Sequence, residues 1–227
     1  MDEDELNNSI KYFRTFHLPY SPGTTNDDKK LESESDFIGQ EVIITAKMDG
    51  ENCSMTNKKH WARSVDSNDH PSRKWIENFW SSIRYNIPDG MRVCGEYLYA
   101  THSIHYKNLP SYFLVFSIWE NATCLSWDDT VEWCKLLDLN MVPFLYRGIY
   151  DKDIVLKLAT SEEVFGGIRE GVVIRKPESF TFTNPMNHTS NGLEAAKRYT
   201  KWVRKGHVNT DQHWMFQKIV PNELKWE

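Results

Sequence analysis

Val42-Ile43-Ile44-Thr45-Ala46-Lys47-Met48-Asp49-Gly50-Glu51-Asn52 runs an apolar strand into a lysine and then into an Asp-Gly turn. The β-branched run reads as a strand over Val42–Lys47, and Asp-Gly is hairpin grammar. Two readings of Lys47 follow. It is a solvated lysine entering a turn, or a nucleophile aimed from a strand end into a pocket. The fragment by itself does not choose between them.

The rest of the chain bounds the choice. It has 227 residues, 40% hydrophobic and 13% aromatic, enough for one large domain with a real core. No apolar run reaches the ~18 residues of a membrane span. The opening Met1-Asp2-Glu3-Asp4-Glu5 is acidic, unlike the positive start of a signal peptide. Cys53, Cys94, Cys124 and Cys134 form no C-x-x-C pair, which suits free thiols in a reducing, cytoplasmic compartment. The net charge of −5 excludes a uniformly basic polyanion binder.

Residues 2–40 are polar and charged, with Pro19-Tyr20-Ser21-Pro22-Gly23 before an Asp/Lys/Glu/Ser run. They read as a short helix and a solvated loop, part of one unit with residues 41–227. Pro71-Ser72 opens an amphipathic helix carrying Trp75, Ile76, Phe79, Trp80 and Ile83 at helical spacing. Arg92–Tyr99, Tyr112–Trp119 and Gly171–Arg175 read as strands. Ser126 is placed to cap a helix running to about Leu137, and Gly192 to about Trp202 reads as helical or begins so, with Lys201 and Val203 on one face if the stretch is a strand. Strands outnumber helices without alternating with them. The expected class is α+β with antiparallel sheets and flanking helices, not a doubly wound parallel sheet.

Other pieces stand in order behind Lys47. Gly95-Glu96-Tyr97 lies within a strand, and the aromatic strand Phe113–Trp119 follows. Glu170-Gly171-Val172-Val173-Ile174-Arg175 comes next, and Lys197–Lys205 is basic with no acidic residue. In this order the pieces resemble the motifs of the covalent nucleotidyltransferase superfamily of ATP-dependent polynucleotide ligases and capping enzymes, its RNA ligase branch most. Asn52 and Arg63 fall where nick-sealing RNA ligases carry an asparagine and an arginine. The resemblance covers roughly Val42 to Trp214. It implies an adenylyltransferase domain (ATP-grasp-like), with two antiparallel sheets and ATP in the groove between them.

The resemblance also implies roles. Lys47 attacks the α-phosphate of ATP and leaves a lysyl–AMP phosphoramidate. AMP then moves to the 5′-phosphate of RNA, and a 3′-hydroxyl displaces it. Glu96 binds the ribose hydroxyls, Phe116 stacks on adenine, and Asn52 and Arg63 engage phosphates. Glu170 holds Mg²⁺ (or Mn²⁺), with Asp49 in the same water network. Lys201 contacts the triphosphate, with Arg204 second. An ammonium cannot attack, so nearby cations and metal are expected to lower Lys47; from about 10.4 to near 7 is about 4–5 kcal/mol. For Phe116, packing in the core is the ordinary alternative to stacking.

Two stretches stay open. His70, Ser72 and Arg73 stand at a helix start, where an anion site or a capped loop is equally in keeping. His207 and His213 in Gly206–Trp214 lack tight metal spacing and read as a polar network. Trp202, Trp214 and Tyr199 are either stacking platforms for strand ends or buried packing. RNA rather than DNA is favoured by K-x-D-G-x-N, by Arg63, and by the 22 residues after Lys205, too few for a C-terminal OB barrel. The expected partner is RNA with 5′-phosphate and 3′-hydroxyl ends. A monomeric viral or bacterial RNA-repair enzyme fits the resemblance. A DNA nick ligase, a GTP-using capping enzyme and a catalytically inactive binding module are the alternatives.

Overall fold

A computed structural model describes residues 10–25, 28–62, 71–160, 163–182, 188–206 and 218–225. The chain begins with strand β1 (Phe16–His17), then β2 (Glu41–Lys47), β3 (Glu51–Met55) and β4 (His60–Ala62). Helix α1 (Lys74–Ile83) leads to β5 (Met91–Tyr97), β6 (Phe113–Glu120) and β7 (Thr123–Cys124). Helix α2 (Trp127–Leu136), β8 (Phe144–Ile149) and helix α3 (Lys152–Ala159) follow. The small hairpin β9 (Glu163–Val164) and β10 (Gly167–Ile168) precedes β11 (Gly171–Arg175) and β12 (Phe180–Thr181). Helix α4 (His188–Ala196) and strand β13 (Tyr199–Val203) close the set.

Two sheets organise these elements. One runs β1-β13-β11-β2-β8, the other β12-β7-β6-β5-β3-β4. Every pairing among the named strands is antiparallel except β1 with β13, which is parallel. The expected α+β class with antiparallel sheets is thus the observed one, and the described residues contain no OB barrel.

Alternation along the strands assigns each face. In the first sheet, Val42, Ile44, Val172, Ile174 and Trp202 turn outward onto Leu18, Phe37 and the α3 residues Val155 and Ala159. In the second sheet, Met55, Val93, Tyr97, Phe113, Val115 and Ile118 turn outward onto Ile76, Trp75 and Phe79 of α1 and onto Cys134 and Leu137. Each fully buried aliphatic side chain contributes about 1.5–3 kcal/mol to this layering. The remaining two faces look at each other. Val173 and Tyr199 of the first sheet pack with Cys94 and Trp119 of the second. That inter-sheet layer is where the quoted lysine ends up.

Local signals are obeyed where side chains alone decide. Ser126 caps α2 by accepting the Asp129 N–H at 3.1 Å. α1 packs the expected stripe on the second sheet, with Ile76 buried, Trp75, Phe79, Trp80 and Ile83 partly so, and Trp75 and Phe79 stacked at 5.0 Å. No helix occurs among the described residues of 10–40; instead Phe16–His17 adds a strand to β13, with Leu18 N–H donating to Lys201 O at 2.8 Å. Residues 2–9 lie outside the described residues. Helix α4 stops at Ala196, and Tyr199–Val203 is a strand, because residues 199, 200, 202 and 203 are buried on both faces of a central ladder.

Candidate active site

Register places the basic residues of the site. Lys47 stands opposite Gly171, and Gly171 opposite Val203. One row deeper, Thr45, Val173 and Lys201 stand across from one another, and His17 is beside Lys201. Residues opposite or two apart share a face, so Lys47, Lys201 and His17 all project into the inter-sheet layer. The second sheet answers with Asn52 directly opposite Glu96, both on its inner face.

Lys47 Nζ is 2.7 Å from Glu170 Oε2, with the lysine side chain 22% exposed and the glutamate 5%. Glu96 Oε1 accepts the Gly50 N–H at 3.1 Å, which ties the turn after Lys47 to the Gly-Glu-Tyr strand. Asp49 Oδ2 accepts the N–H groups of Ser103 and Ile104 at 2.7 and 2.8 Å, and the Asp49 N–H donates to Tyr106 Oη at 3.0 Å. The Asp49 carboxylate therefore anchors a loop, a use the sequence does not announce.

The electrostatics differ from the expectation for Lys47. Burial presses its ammonium toward the neutral form, but the carboxylates of Glu170, Glu96 and Asp49 more than reverse this and hold it above the ordinary lysine range. Where the sequence points to cations around Lys47, its strongest charged neighbours in the protein are carboxylates. Burial, with Glu170 and Asp49 adding to it against Lys47, raises Glu96 to about 7. Lys201 carries the depression expected of the first lysine. Burial and then Lys47 lower it to about 8, against Asp28 and Glu170.

Lys201 has neighbours from the segment expected to be a solvated loop. Its Nζ is 3.6 Å from Asp28 Oδ1, and His17 Nε2 is 3.3 Å from the same oxygen. His17 Nδ1 is 2.9 Å from Ser21 Oγ, which accepts the Val203 N–H at 2.9 Å. Asp28 lies within a run of polar residues and His17 eleven residues earlier, so no local pattern marks them.

The remaining expected residues divide. Phe116 is half-buried at the bulge where Cys94 pairs with Ser117 and Gly95 with Val115; its ring meets Tyr12 edge-on at 5.2 Å. Asn52 Oδ1 is buried with no hydrogen-bond partner among the described residues. The Arg204 N–H donates to Glu170 O at 3.0 Å, so its backbone fixes Glu170. Trp202 and Tyr199 are core residues, not exposed platforms. The Ser72 carbonyl accepts the Tyr97 hydroxyl and Arg73 pairs with Glu51 at 2.6 Å, so both serve the join between α1 and the sheet. Arg63, His70, His207, His213 and Trp214 lie outside the described residues.

As a metal site, the donor set is all carboxylate oxygen, which suits a hard cation. Among the described residues no group of three His, Cys, Asp or Glu side chains is arranged to hold an ion. The fit is to an ion held by one carboxylate, water and substrate rather than by a protein cage. No helix among the described residues is long and apolar enough to cross a membrane.

Comparison with known proteins gives the family and the fold. The family model for RNA ligase matches residues 40–203. A search of curated proteins returns no match. A mutant of Naegleria gruberi RNA ligase with ATP and Mn is similar at TM-score 0.50 and 13% identity, over 86% of this chain and 60% of that one. A second mutant, with AMP and Mn, is similar at 0.50 and 14%, over the same shares. A third, an apo mutant, matches at 0.49 and 17%, over 69% of this chain and 52% of that one. This chain thus spans between half and two thirds of those ligase chains, and at such identities the likeness is one of fold. With the family match covering most of its length, from the strand that carries Lys47 to the strand that carries Lys201, the chain belongs to the RNA ligase family.

Proposed function

We propose that the protein is an ATP-dependent RNA ligase that joins 5′-phosphate and 3′-hydroxyl ends through an adduct on Lys47. The single observation that carries this is the position of Lys47. A strand-end lysine meets Glu170 at 2.7 Å in the layer between two sheets, with Glu96 and Lys201 around it.

In step one the Lys47 Nζ lone pair forms a P–N bond to the α-phosphorus of ATP, and the α–β P–O bond breaks to release pyrophosphate. Lys47 must first give up a proton, which the three carboxylates oppose. Triphosphate placed against Lys201 is itself anionic, so the carboxylates need a counter-charge. Glu170 would hold Mg²⁺ or Mn²⁺, which supplies that positive charge and stabilises the leaving pyrophosphate. Asp49 contributes charge while its Oδ2 keeps the turn in place. Glu96 faces the layer where a ribose would sit, Asn52 and Arg63 meet phosphates, Phe116 lies beside the base, and Arg204 backs Lys201. In step two AMP passes to the RNA 5′-phosphate. In step three a 3′-hydroxyl attacks and AMP leaves. Repair of broken RNA in the cytoplasm, by a monomer, is the setting this chemistry suits.

The deciding experiment incubates the protein, stripped of carried-over AMP with pyrophosphate, with α-³²P-labelled ATP and Mg²⁺ or Mn²⁺, beside Lys47→Ala. A labelled band on denaturing gel, absent from Lys47→Ala, is expected, followed by sealing of nicked RNA. Label from GTP alone would make the protein a capping-type enzyme. Sealing of DNA only would make it a DNA ligase. No label with either nucleotide would sink the enzyme reading and leave an inactive binding module.

A further inference from the structure

Residues 218–225 form a strap across the loop that holds the catalytic turn. They lie beyond residue 203, where the family match ends. Pro221 bridges to Ala100 and Leu224 to Leu109. The Thr101 N–H donates to Val220 O at 2.8 Å, the Glu223 N–H to Tyr106 O at 2.8 Å, and the Lys225 N–H to Leu109 O at 2.9 Å. At the centre is Asn222, a polar side chain only 2% exposed. Its Oδ1 accepts the Tyr106 N–H at 2.8 Å and the Thr101 hydroxyl at 3.0 Å, and its Nδ2 donates to Leu98 O at 2.8 Å. Its own N–H donates to Tyr99 O and its carbonyl accepts the Tyr112 hydroxyl, each at 2.8 Å.

The far side of the same loop reaches the site. Tyr106 is fully buried, and its hydroxyl accepts the Asp49 N–H. Ser103 and Ile104 give their N–H groups to the Asp49 carboxylate. One route from Asn222 to the Lys47 turn is thus the length of Tyr106, from its N–H to its hydroxyl, and a second runs along the backbone from Thr101 to Ser103 and Ile104. A buried polar network satisfied at every member is rigid, and a half-satisfied one is costly.

We propose that Asn222 is a positioning residue for adenylylation: it fixes Tyr106 and Thr101, and through them the Met48–Gly50 turn that aims Lys47. Asn222 touches no reacting atom. The inference rests on the ligase reading for its kinetic consequence, but its structural half does not.

The test uses the full chain with Asn222→Ala, Tyr106→Phe and the double variant. Single-turnover adduct formation at saturating ATP is expected to slow about tenfold in each single variant, with half-saturating ATP changed by less than about twofold, because aim is lost and binding is not. The double variant is expected to lose less than the product of the two single losses, since both variants act on the route through Tyr106. Multiplicative losses, or an unaltered rate in Asn222→Ala, would overturn the proposal. Amide exchange gives a readout independent of catalysis. The amides of Asp49, Ser103 and Ile104 are expected to exchange faster in Asn222→Ala, and unchanged protection there overturns the strap. If wild type forms no adduct, the ligase reading fails and the exchange result alone decides the strap. If Asn222→Ala does not fold, Thr101→Val, which removes one hydroxyl donor to Oδ1, takes its place under the same criteria.

Discussion

Lys47 Nζ and Glu170 Oε2 are 2.7 Å apart although the two residues are 123 positions apart in sequence. The contact exists because Gly171, next to Glu170, pairs with Lys47 across β2 and β11. The pair is not symmetric. Lys47 answers to Glu170, Glu96 and Asp49 together. Removing Lys47 leaves several carboxylates facing one another, whereas removing Glu170 leaves Lys47 with two. Lys47→Ala is expected to cost about 3 kcal/mol of stability at pH 8 and Glu170→Ala nearer ~1 kcal/mol. Chemical denaturation of both variants measures this, and a larger loss in Glu170→Ala would contradict it.

Glu96 gives the fold a pH dependence of unusual sign. Its folded value is raised to about 7, and an unfolded glutamate titrates near ~4.3. Between those values the folded state binds more protons, so Glu96 costs stability as pH rises through that window and no more above it. Glu96→Gln keeps an oxygen for the Gly50 N–H and carries no charge. Its stability gain over wild type is expected to grow between pH 5 and pH 8 by on the order of 2 kcal/mol. Melts at the two pH values check it; a gain that shrinks with pH would refute the assignment.

His17 acts in the opposite direction. Burial and then Lys201 lower it to about 4, against Asp28. Unfolded His17 takes up a proton below ~6.5 that the folded state refuses, so stability falls as pH drops from there toward 4. His17→Gln is expected to lose that slope, which melts across the same pH range would show. Asp28 titrates lower: burial works against its carboxylate, but the Thr25 N–H, Lys201 and His17 hold it at about 2. Its contribution is therefore lost only in stronger acid, a separate window.

Asp28 also sets the charge of Lys201, which it raises against burial and Lys47. Without that carboxylate Lys201 becomes less basic and is more often neutral at alkaline pH. The defect of Asp28→Asn in adduct formation is expected to be greater at pH 8.5 than at pH 6.5. Parallel pH–rate profiles test this, and a defect that is flat or largest in acid would rule it out.

The legible part of this molecule is what neighbouring side chains decide. Strand β11 spans Gly171–Arg175 as its residues predict, and the α1 stripe and the Ser126 cap follow from spacing and a single hydroxyl. Lys47, Glu96 and Glu170 are legible as a set because motif order carries information that no one motif has, and register brings them together. What stays hidden is long-range. The Phe16–His17 strand gains its place only from β13. Asp28 is an ordinary loop aspartate until Lys201 stands beside it, and Asn222 is one polar residue in a tail until loop 98–109 closes over it. The carboxylate excess around Lys47 is likewise a sum over three segments, which is why the direction of its shift runs against the expectation from sequence.

Gly171 tests whether the sheet register itself aims the lysine. A Cβ there would sit 2.0 Å from the Trp202 carbonyl oxygen and 2.9 Å from the Val203 Cα. Both atoms belong to the backbone of β13, which cannot retreat without breaking its ladder to β11. Gly171→Ala is expected to cost about 3 kcal/mol, and to slow adduct formation further by shifting the row that joins Lys47, Gly171 and Val203. Gly39 provides the contrast. It has φ +74°, and a methyl group placed on its Cα would meet nothing within 4 Å. Gly39→Ala therefore carries only the left-handed backbone cost of about 1 kcal/mol and leaves adduct formation unchanged. Equal losses in the two variants would contradict that contact, because Gly171, unlike Gly39, does not hold a left-handed backbone.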